Sequence, residues 1–213
     1  PETFISIDKA LNAVDNSIVS FPLIVKPRWG TGSIGIYQAD DKEELKILFN
    51  KIKKVIQNTY LKYESESDKE NAIIIQEKIT GKEYGLDVIN DLNKNYVTTL
   101  VKKKMAMRSG ETDRAITEDN SVMRDLGSMI SKYLRHISIL DVDCFLTDDG
   151  IPIILEMNCR FGGHYPFSHL AGANIPLAII KWLNGEETSK RLFQIEYDVE
   201  AIKDIQPIIL KRE

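Results

Sequence analysis

The segment LDVDCFLTDDGIPIILEMNCRFGG, residues 140–163, carries the side chains best suited to chemistry. If Asp149 and Gly150 form a two-residue type I′ turn, the flanking strands pair so that Thr147 faces Pro152. Side chains alternate along a strand, so this register gathers polar groups on one face: Asp141, Asp143, Glu156, Asn158 and Arg160. The opposite face receives Cys144, Leu155 and Met157.

The same register sets the carboxylates of Asp143 and Glu156 directly opposite one another. Such a pair is repulsive and does not stabilise the fold unless a cation lies between the two groups. Carboxylate and amide oxygens suit Mg²⁺, which takes few protein ligands and completes its octahedron with water and phosphate oxygens. We therefore predict a metal site at Asp143, Glu156 and Asn158. The alternative is the solvent-facing side of a half-exposed hairpin.

A second candidate is the glycine-rich segment KPRWGTGSIGIYQ, Lys26 to Gln38. Its Gly-x-Gly-x-x-Gly spacing matches a dinucleotide-binding turn, but that turn must join a strand to a helix. Here Phe21–Val25 predicts one strand and Ile34–Tyr37 predicts another, so the glycines lie in a hairpin loop. The backbone N–H groups of such a loop can fold over an anion, with Lys26 beneath as a point charge. An ordinary glycine-rich hairpin is the alternative.

Composition narrows the classes of function. The chain has 213 residues, of which 43% are hydrophobic, with a net charge of −4 and a pI near 5.5. An acidic chain without a basic stripe argues against nucleic acid as a partner. No apolar run approaches the roughly 18 to 20 residues of a membrane span, so we expect a cytoplasmic protein. Cys144 and Cys159 lack metal or disulfide spacing, and we expect both to be reduced packing residues.

Hydrophobic periodicity and turn residues predict a mixture of helices and strands, and the length allows either one α/β domain or two small lobes. Helices are expected at Ile7–Val14 with Ser6 as cap, after Asp40 or Asp41, after Asn120 with its methionines in the core, and at Ile175–Leu183. Strands are expected at Ala72–Gln76, Glu83–Ile89, Tyr96–Val101, Ile137–Leu146 and Ile151–Met157. Residues 62–71 and 104–118 are expected to be loops, the second of a functional kind because of its length. The run Lys102–Lys104 is either a solvated strand end or a charge aimed at phosphate.

Taken together, these segments resemble the ATP-grasp superfamily, in the branch related to the carbamoyl-phosphate synthase large chain. The resemblance rests on FPLIVKPRWGTGSIGI, IIIQEKITGKEYGLDV, KMAMRSGETD and DVDCFLTDDGIPIILEMNCRFGGHYPFSHLAG, in that order and spacing. It covers nearly the whole sequence. It implies an ATP-grasp fold in which two α+β lobes with antiparallel sheets sandwich ATP.

The resemblance also implies roles for individual residues. Lys26 would contact nucleotide phosphates, and the loop with Gly30, Gly32, Ser33 and Gly35 would close over them. The adenine edge would meet Gln76, Glu77 and Ile79, the ribose would meet Glu83, and Lys104 would add a phosphate contact, although any of the three neighbouring lysines could do so. Mg²⁺, or alternatively Mn²⁺, would bind Asp143, Glu156 and Asn158. Arg160, with Lys26, would act in catalysis. His164 and His169 either line an acceptor pocket or pack within their loop.

On this resemblance, residues 1–20 are a linker and helix from a missing N-terminal domain, 21–105 a small lobe and 106–213 a large lobe. The implied activity is an ATP-dependent ligase that joins a carboxylate to an amine, or a thiol, through an acyl phosphate. Its partners would be small-molecule carboxylates and amines, with no nucleic acid or membrane, and a homodimer is compatible with it. The alternative is a module that binds nucleotide without turnover.

Overall fold

The structure is a computed structural model that describes residues 1–30 and 32–205. The chain forms two compact units, Pro1–Ile79 and the part that begins at Thr80. Both combine helices with antiparallel sheets, as expected of an α+β chain. No helix among the described residues is long and apolar enough to span a bilayer.

In the first unit, the described residues form four strands and three α-helices. In chain order they are β1 (Thr3–Phe4), α1 (Ile7–Asp15), β2 (Leu23–Pro27), β3 (Tyr37–Ala39), α2 (Lys42–Asn58), α3 (Leu61–Glu64) and β4 (Ile73–Glu77), with a 3-10 turn at Glu66–Asp68. The sheet order is β1-β4-β2-β3. The side chain of Asp41 caps α2 by accepting from the N–H groups of Glu43 and Glu44, which satisfies two donors that the helix cannot.

Up to residue 205, the second unit is built on a six-stranded sheet in the order β10-β7-β6-β5-β8-β9. Its elements are β5 (Lys82–Asn90), β6 (Tyr96–Arg108), β7 (Glu111–Thr117), α4 (Ser121–Leu134), β8 (Ile139–Leu146), β9 (Pro152–Asn158), α5 (Tyr165–Leu170), α6 (Ile175–Leu183) and β10 (Glu200–Ile202), with a 3-10 turn at Lys190–Phe193. Each neighbouring pair of these strands is antiparallel.

Hydrophobic residues cover both faces of this sheet. On one face α4 packs Met123, Leu126 and Ile130 against alternate strand residues such as Val142. On the other face Tyr165 and Ile175 pack against Ile89, Leu100 and Ile139. The alternation of β5 puts Ile89 and Asp87 on the same face, so the second face is apolar at one end and charged further along the strands.

Several expectations are corrected by the fold. Residues 104–118 are not a loop, because β6 continues to Arg108 and pairs with β7 across a tight turn. This segment is polar because it carries site residues and sheet-edge side chains, which hides its strand pattern. Residues 62–71 form short helical turns instead of a loop. The Gly-rich loop after residue 160 contains α5.

The division between the units also differs from the expected one. A boundary at residues 105 and 106 falls inside β6, whereas the compact units separate between Ile79 and Thr80. Strands β5 and β6 therefore belong to the sheet that holds Asp143. The boundary between the units depends on which distant strands pair, and the polarity of a segment does not reveal that pairing.

Two smaller expectations also change. Met129 on α4 is 49% exposed while Met123 is fully buried, so only one of these methionines is a core residue. Cys144 is buried but Cys159 is exposed, so Cys159 is not a packing residue; both thiols are free.

Candidate functional site

The glycine-rich segment lies between β2 and β3, which pair as an antiparallel hairpin. The hairpin interpretation is therefore right, although the returning strand begins only at Tyr37 and not at Ile34. Gly32, Ser33 and Gly35 have φ angles of 62°, 57° and 78°. This left-handed conformation favours glycine. A Cβ at Gly35 would lie 3.1 Å from Pro27, whereas Gly32 has open space around it.

The other expected nucleotide residues of the first unit lie on its central strands. Lys26 is half-buried on β2, opposite Ile74 of β4. Gln76 and Glu77 are half-buried at the end of β4, and Ile79 follows them as the last residue of the unit. Gln76 donates to Thr3 Oγ1 over 2.9 Å, and a Glu77 carboxylate oxygen accepts from the Glu2 N–H over 2.7 Å.

In the second unit, the predicted pairing of the carboxylates is present. Asp143 lies opposite Glu156, and Asp141 opposite Asn158. The Asn158 side chain donates to Glu156 Oε1 over 3.2 Å, which places both side chains on one face. The polar face read from the sequence therefore exists.

The turn that produces this pairing differs from the predicted one. Leu146, and not Thr147, faces Pro152, and Gly150 donates to the Thr147 carbonyl with a φ of 78°. This is a three-residue loop that ends in a left-handed glycine. A bulge between Asp143 and Cys144 then restores the register of the carboxylates. An extra residue in one strand shifts every pair beyond it by one.

Lys104 connects two of the expected site residues. Its ammonium lies 2.8 Å from Glu83 Oε1 and 2.8 Å from Asp143 Oδ1, and its side chain is only 2% exposed. Burial alone would lower the pKa of Lys104, but the carboxylates of Asp143 and Glu83 raise it above its usual range. Alternation along β6 turns Lys103 to the face of α4, because Lys103 pairs with Tyr84 of that core.

Lys102, the third lysine of the run, is fully buried and forms an ion pair with the fully buried Asp87. Ser168 Oγ lies 2.8 Å from the Lys102 ammonium and donates to Asp87 Oδ2 over 2.6 Å. Burial would raise the pKa of Asp87, but Lys102 and His164 lower it well below the usual range. Lys102 is thus a structural ion-pair partner inside the unit and neither a solvated strand end nor an accessible phosphate contact.

His164 joins this pair to the candidate metal strand. It is 2% exposed, with Nδ1 3.4 Å from Asp87 Oδ1 and Nε2 2.5 Å from Asp141 Oδ1. Nε2 is also 3.6 Å from Asp143 Oδ1. Of the two histidines in question, His164 packs and His169 is exposed on α5. Sequence reasoning missed Asp87, Lys102 and His164 as a group. The signal was a single carboxylate inside the run YGLDVI, residues 84–89, whose other members are glycine or hydrophobic.

The charges of this cluster nearly balance. It contains the carboxylates of Glu83, Asp87, Asp141 and Asp143, and the basic groups of Lys102, Lys104 and Arg160. Burial lowers the pKa of the Lys102 ammonium, although Asp87 acts to raise it. Four negative and three positive charges leave one negative charge. Burial and Lys102 lower the pKa of His164, but contacts with Asp141 and Asp87 raise it overall.

The same cluster contains side chains that could bind a metal ion. Ligand atoms of Asp141, Asp143 and His164 lie within 4.8 Å of one another. Of these only Asp143 belongs to the predicted metal set. Buried oxygens of Asp141 and Asp143 lack a hydrogen-bond partner. The outward pair Asp143 and Glu156, with the amide of Asn158, is an all-oxygen set of the kind that Mg²⁺ prefers, so the residues fit that ion. The metal role of these three residues stays a prediction.

Comparison with known proteins agrees with this fold. The model of the ATP-grasp domain family matches residues 19–166. This chain therefore belongs to the ATP-grasp domain family. It is 25% identical over 173 residues to the arginine-specific large chain of carbamoyl phosphate synthase from Bacillus subtilis, covering 76% of this chain and 15% of that protein.

Solved structures share the fold at low identity. The biotin carboxylase domain of Hydrogenobacter thermophilus 2-oxoglutarate carboxylase superposes with a TM-score of 0.69 at 16% identity, over 92% of this chain and 43% of that one. The L-amino acid ligase of Bacillus licheniformis gives 0.61 at 18% identity, over 89% and 48%. This chain thus spans less than half the length of the relatives it matches.

Proposed function

We propose that this chain is the nucleotide-binding part of an ATP-dependent ligase that joins a carboxylate to an amine through an acyl phosphate. The observation that carries the proposal is the opposed pair Asp143 and Glu156, with Asn158 bonded to Glu156, in a member of the ATP-grasp family. The similar L-amino acid ligase is named for ligation, which supports this class of reaction.

In the proposed reaction, a substrate carboxylate oxygen attacks the γ-phosphorus of ATP, and ADP leaves with the electrons of the broken P–O bond. The amine nitrogen then attacks the acyl carbon, inorganic phosphate leaves, and the amine loses a proton. Phosphoryl transfer of this kind needs positioning and charge neutralisation more than a side-chain nucleophile. Bound Mg²⁺, or Mn²⁺ in its place, would neutralise phosphate charge. Asp143, Glu156 and Asn158 would hold it.

The chain's own side chains supply the remaining contacts in this proposal. Lys26 and the N–H groups near Gly30, Gly32, Ser33 and Gly35 bind the phosphates, and Arg160 neutralises charge on the transferred group. Gln76, Glu77 and Ile79 meet the adenine, and Glu83 the ribose. An ammonium has three donors, so Lys104 can keep its hydrogen bond to Glu83 and its ion pair with Asp143 while it donates to phosphate.

Calorimetric titration of ATP, with and without Mg²⁺, tests the nucleotide and metal roles. We expect binding that requires Mg²⁺ and weakens at least tenfold in Glu156→Gln, because one charged ligand is removed without a change in shape. Glu187→Gln, an exposed glutamate of the same unit, is the matched control. Equal affinity in Glu156→Gln and wild type would remove Glu156 from the metal site.

Turnover needs a second measurement. Phosphate release is followed with a panel of carboxylates, each with and without amines, and the product is identified by mass spectrometry. Release that depends on both substrates supports the ligase. Tight MgATP binding without turnover across the panel, also in a longer chain that includes any flanking domain, would favour the alternative of a nucleotide-binding module. The matched biotin carboxylase domain is described as a dimer, so light scattering during these titrations tests whether this chain self-associates.

A further inference from the structure

A row of buried polar side chains lies next to the candidate site and ends at the solvent-exposed guanidinium of Arg160. Arg160 Nη1 donates to Asp141 Oδ2 over 2.8 Å and to the Phe161 carbonyl over 3.1 Å. The Arg160 side chain is 55% exposed, whereas that of Asp141 is 5% exposed. Arg160 lies just beyond the end of β9, so the strand ladder does not restrain it. Its ion pair with a buried carboxylate does.

Burying Asp141 is costly unless its charge is compensated. Asp87 lies directly opposite it on β5, so the two carboxylates repel across the ladder. The structure compensates with His164, whose two ring nitrogens lie near one carboxylate each. Asp87 in turn forms an ion pair with Lys102 and accepts a hydrogen bond from Ser168. One oxygen of Asp141 therefore lies 2.5 Å from His164 Nε2, and the other accepts from Arg160.

Two glycines make room for this arrangement. A Cβ at Gly162 would lie 2.2 Å from Asp141 Oδ1, and a Cβ at Gly85 would lie 2.5 Å from the ring of His164. Real Cβ atoms do not approach other atoms so closely. A side chain at either glycine would therefore collide with Asp141 or His164, so both positions require glycine.

We propose that Asp141 is a positioning residue for Arg160, and that His164, with the Asp87–Lys102–Ser168 group beneath it, holds the Asp141 carboxylate in the required orientation. The purpose of this arrangement rests on the proposed function: a guanidinium that neutralises a transferring phosphoryl group must be aimed before the group arrives. Asp141 itself touches no substrate in this proposal.

The test measures Arg160 without nucleotide, so that its result does not depend on the proposed reaction. The protein is treated with phenylglyoxal, which modifies free guanidinium groups, and the rate at Arg160 is read by peptide mass spectrometry. Asp141→Asn keeps the shape but removes the charge, and we expect Arg160 to react about tenfold faster, the scale of one charge-assisted hydrogen bond. Asp148→Asn, in the exposed turn of the same hairpin, should leave the rate unchanged.

Two further comparisons separate positioning from general loosening. Arg135, exposed at the end of α4, must keep its rate in every variant. His164→Asn should raise the Arg160 rate about threefold, less than Asp141→Asn, because coupling through an intermediate residue is weaker than direct contact. If Asp141→Asn does not fold, the reaction rates of the wild-type protein still test the proposal. In wild type, Arg160 must react with phenylglyoxal several-fold more slowly than Arg135. Equal rates at Arg160 in wild type and Asp141→Asn, or a shared rise at Arg135, would overturn the inference.

Activity adds a readout that a purely structural role would not give. In Asp141→Asn we expect MgADP affinity by calorimetry to stay within about twofold while kcat for phosphate release falls about tenfold, since the lost interaction forms only with the transferring group. A parallel loss of MgADP affinity would contradict a positioning role. If wild type binds no MgATP but Asp141→Asn still exposes Arg160, the proposed function fails and the positioning of Arg160 stands.

Discussion

Replacing Lys102 by methionine should strongly destabilise the second unit. The substitution keeps an unbranched chain of similar length but leaves the fully buried Asp87 without its cation. Breaking a buried pair from one side costs about 3 to 5 kcal/mol, because an uncompensated charge remains in a medium of low dielectric. In a chain of this size that corresponds to a fall in melting temperature of about 10 °C.

Urea unfolding followed by far-ultraviolet circular dichroism measures this change. Lys103→Met is the matched control, since the neighbouring lysine is partly exposed and lies on the other face of β6; we expect a loss below about 0.5 kcal/mol. The double variant Asp87→Asn/Lys102→Met should be more stable than Lys102→Met alone, with a coupling of about 2 kcal/mol. A loss under about 1 kcal/mol in Lys102→Met, or no coupling, would refute a buried charged pair.

Three other outcomes follow from local geometry. Gly127→Ala should cost about 1 to 2 kcal/mol in urea unfolding despite the better helix propensity, since a Cβ there would lie 2.2 Å from Thr99 Oγ1; a stabilised variant would contradict this packing. With a thiol reagent at pH 8, Cys159 should react fast and Cys144 only on unfolding, because burial raises the pKa of Cys144 to about 12. Two fast thiols would show that the core opens. Asp91→Asn should lose stability at pH 7 but approach wild type as the pH falls below about 4. Slight burial raises the pKa of Asp91, but N–H donors of its own turn lower it overall, so its contribution is present above the unfolded pKa and lost in acid. A difference from wild type that stays constant with pH would argue against this turn.

Sequence patterns identified the elements whose signals are local. Helix α2 begins after the capping residue Asp41, and α6 spans Ile175–Leu183 as expected, because caps and a 3.6-residue period act within one segment. The opposed pair of Asp143 and Glu156 was also predictable, since a hairpin fixes its partners over a short distance. The turn of this hairpin was not predictable. Its loop differs from the expected two-residue turn, and a bulge between Asp143 and Cys144 restores the expected pairing beyond it.

Features that depend on contacts between distant segments could be seen only in the tertiary structure. The polar stretch from 104 to 118 reads as a loop, yet residues 104–108 complete β6 and Glu111–Thr117 forms β7, because these two segments pair with each other and β10 pairs with β7. The strand alternation that buries Lys102 beside Asp87 depends on the pairing of β6 with β5. No pattern within a single segment contains that information.

By itself, the sequence determined most of the helices and strands, the hairpin around the glycines, and the polar face with Asp143, Glu156, Asn158 and Arg160. Those features depend on period, turn chemistry and residue type within a few dozen residues. Only the folded chain decided that His164 lies between Asp87 and Asp141, which are brought together from β5, β8 and the start of α5. Charge compensation in a buried site is a property of three-dimensional proximity, and it selects partners that sequence spacing does not reveal.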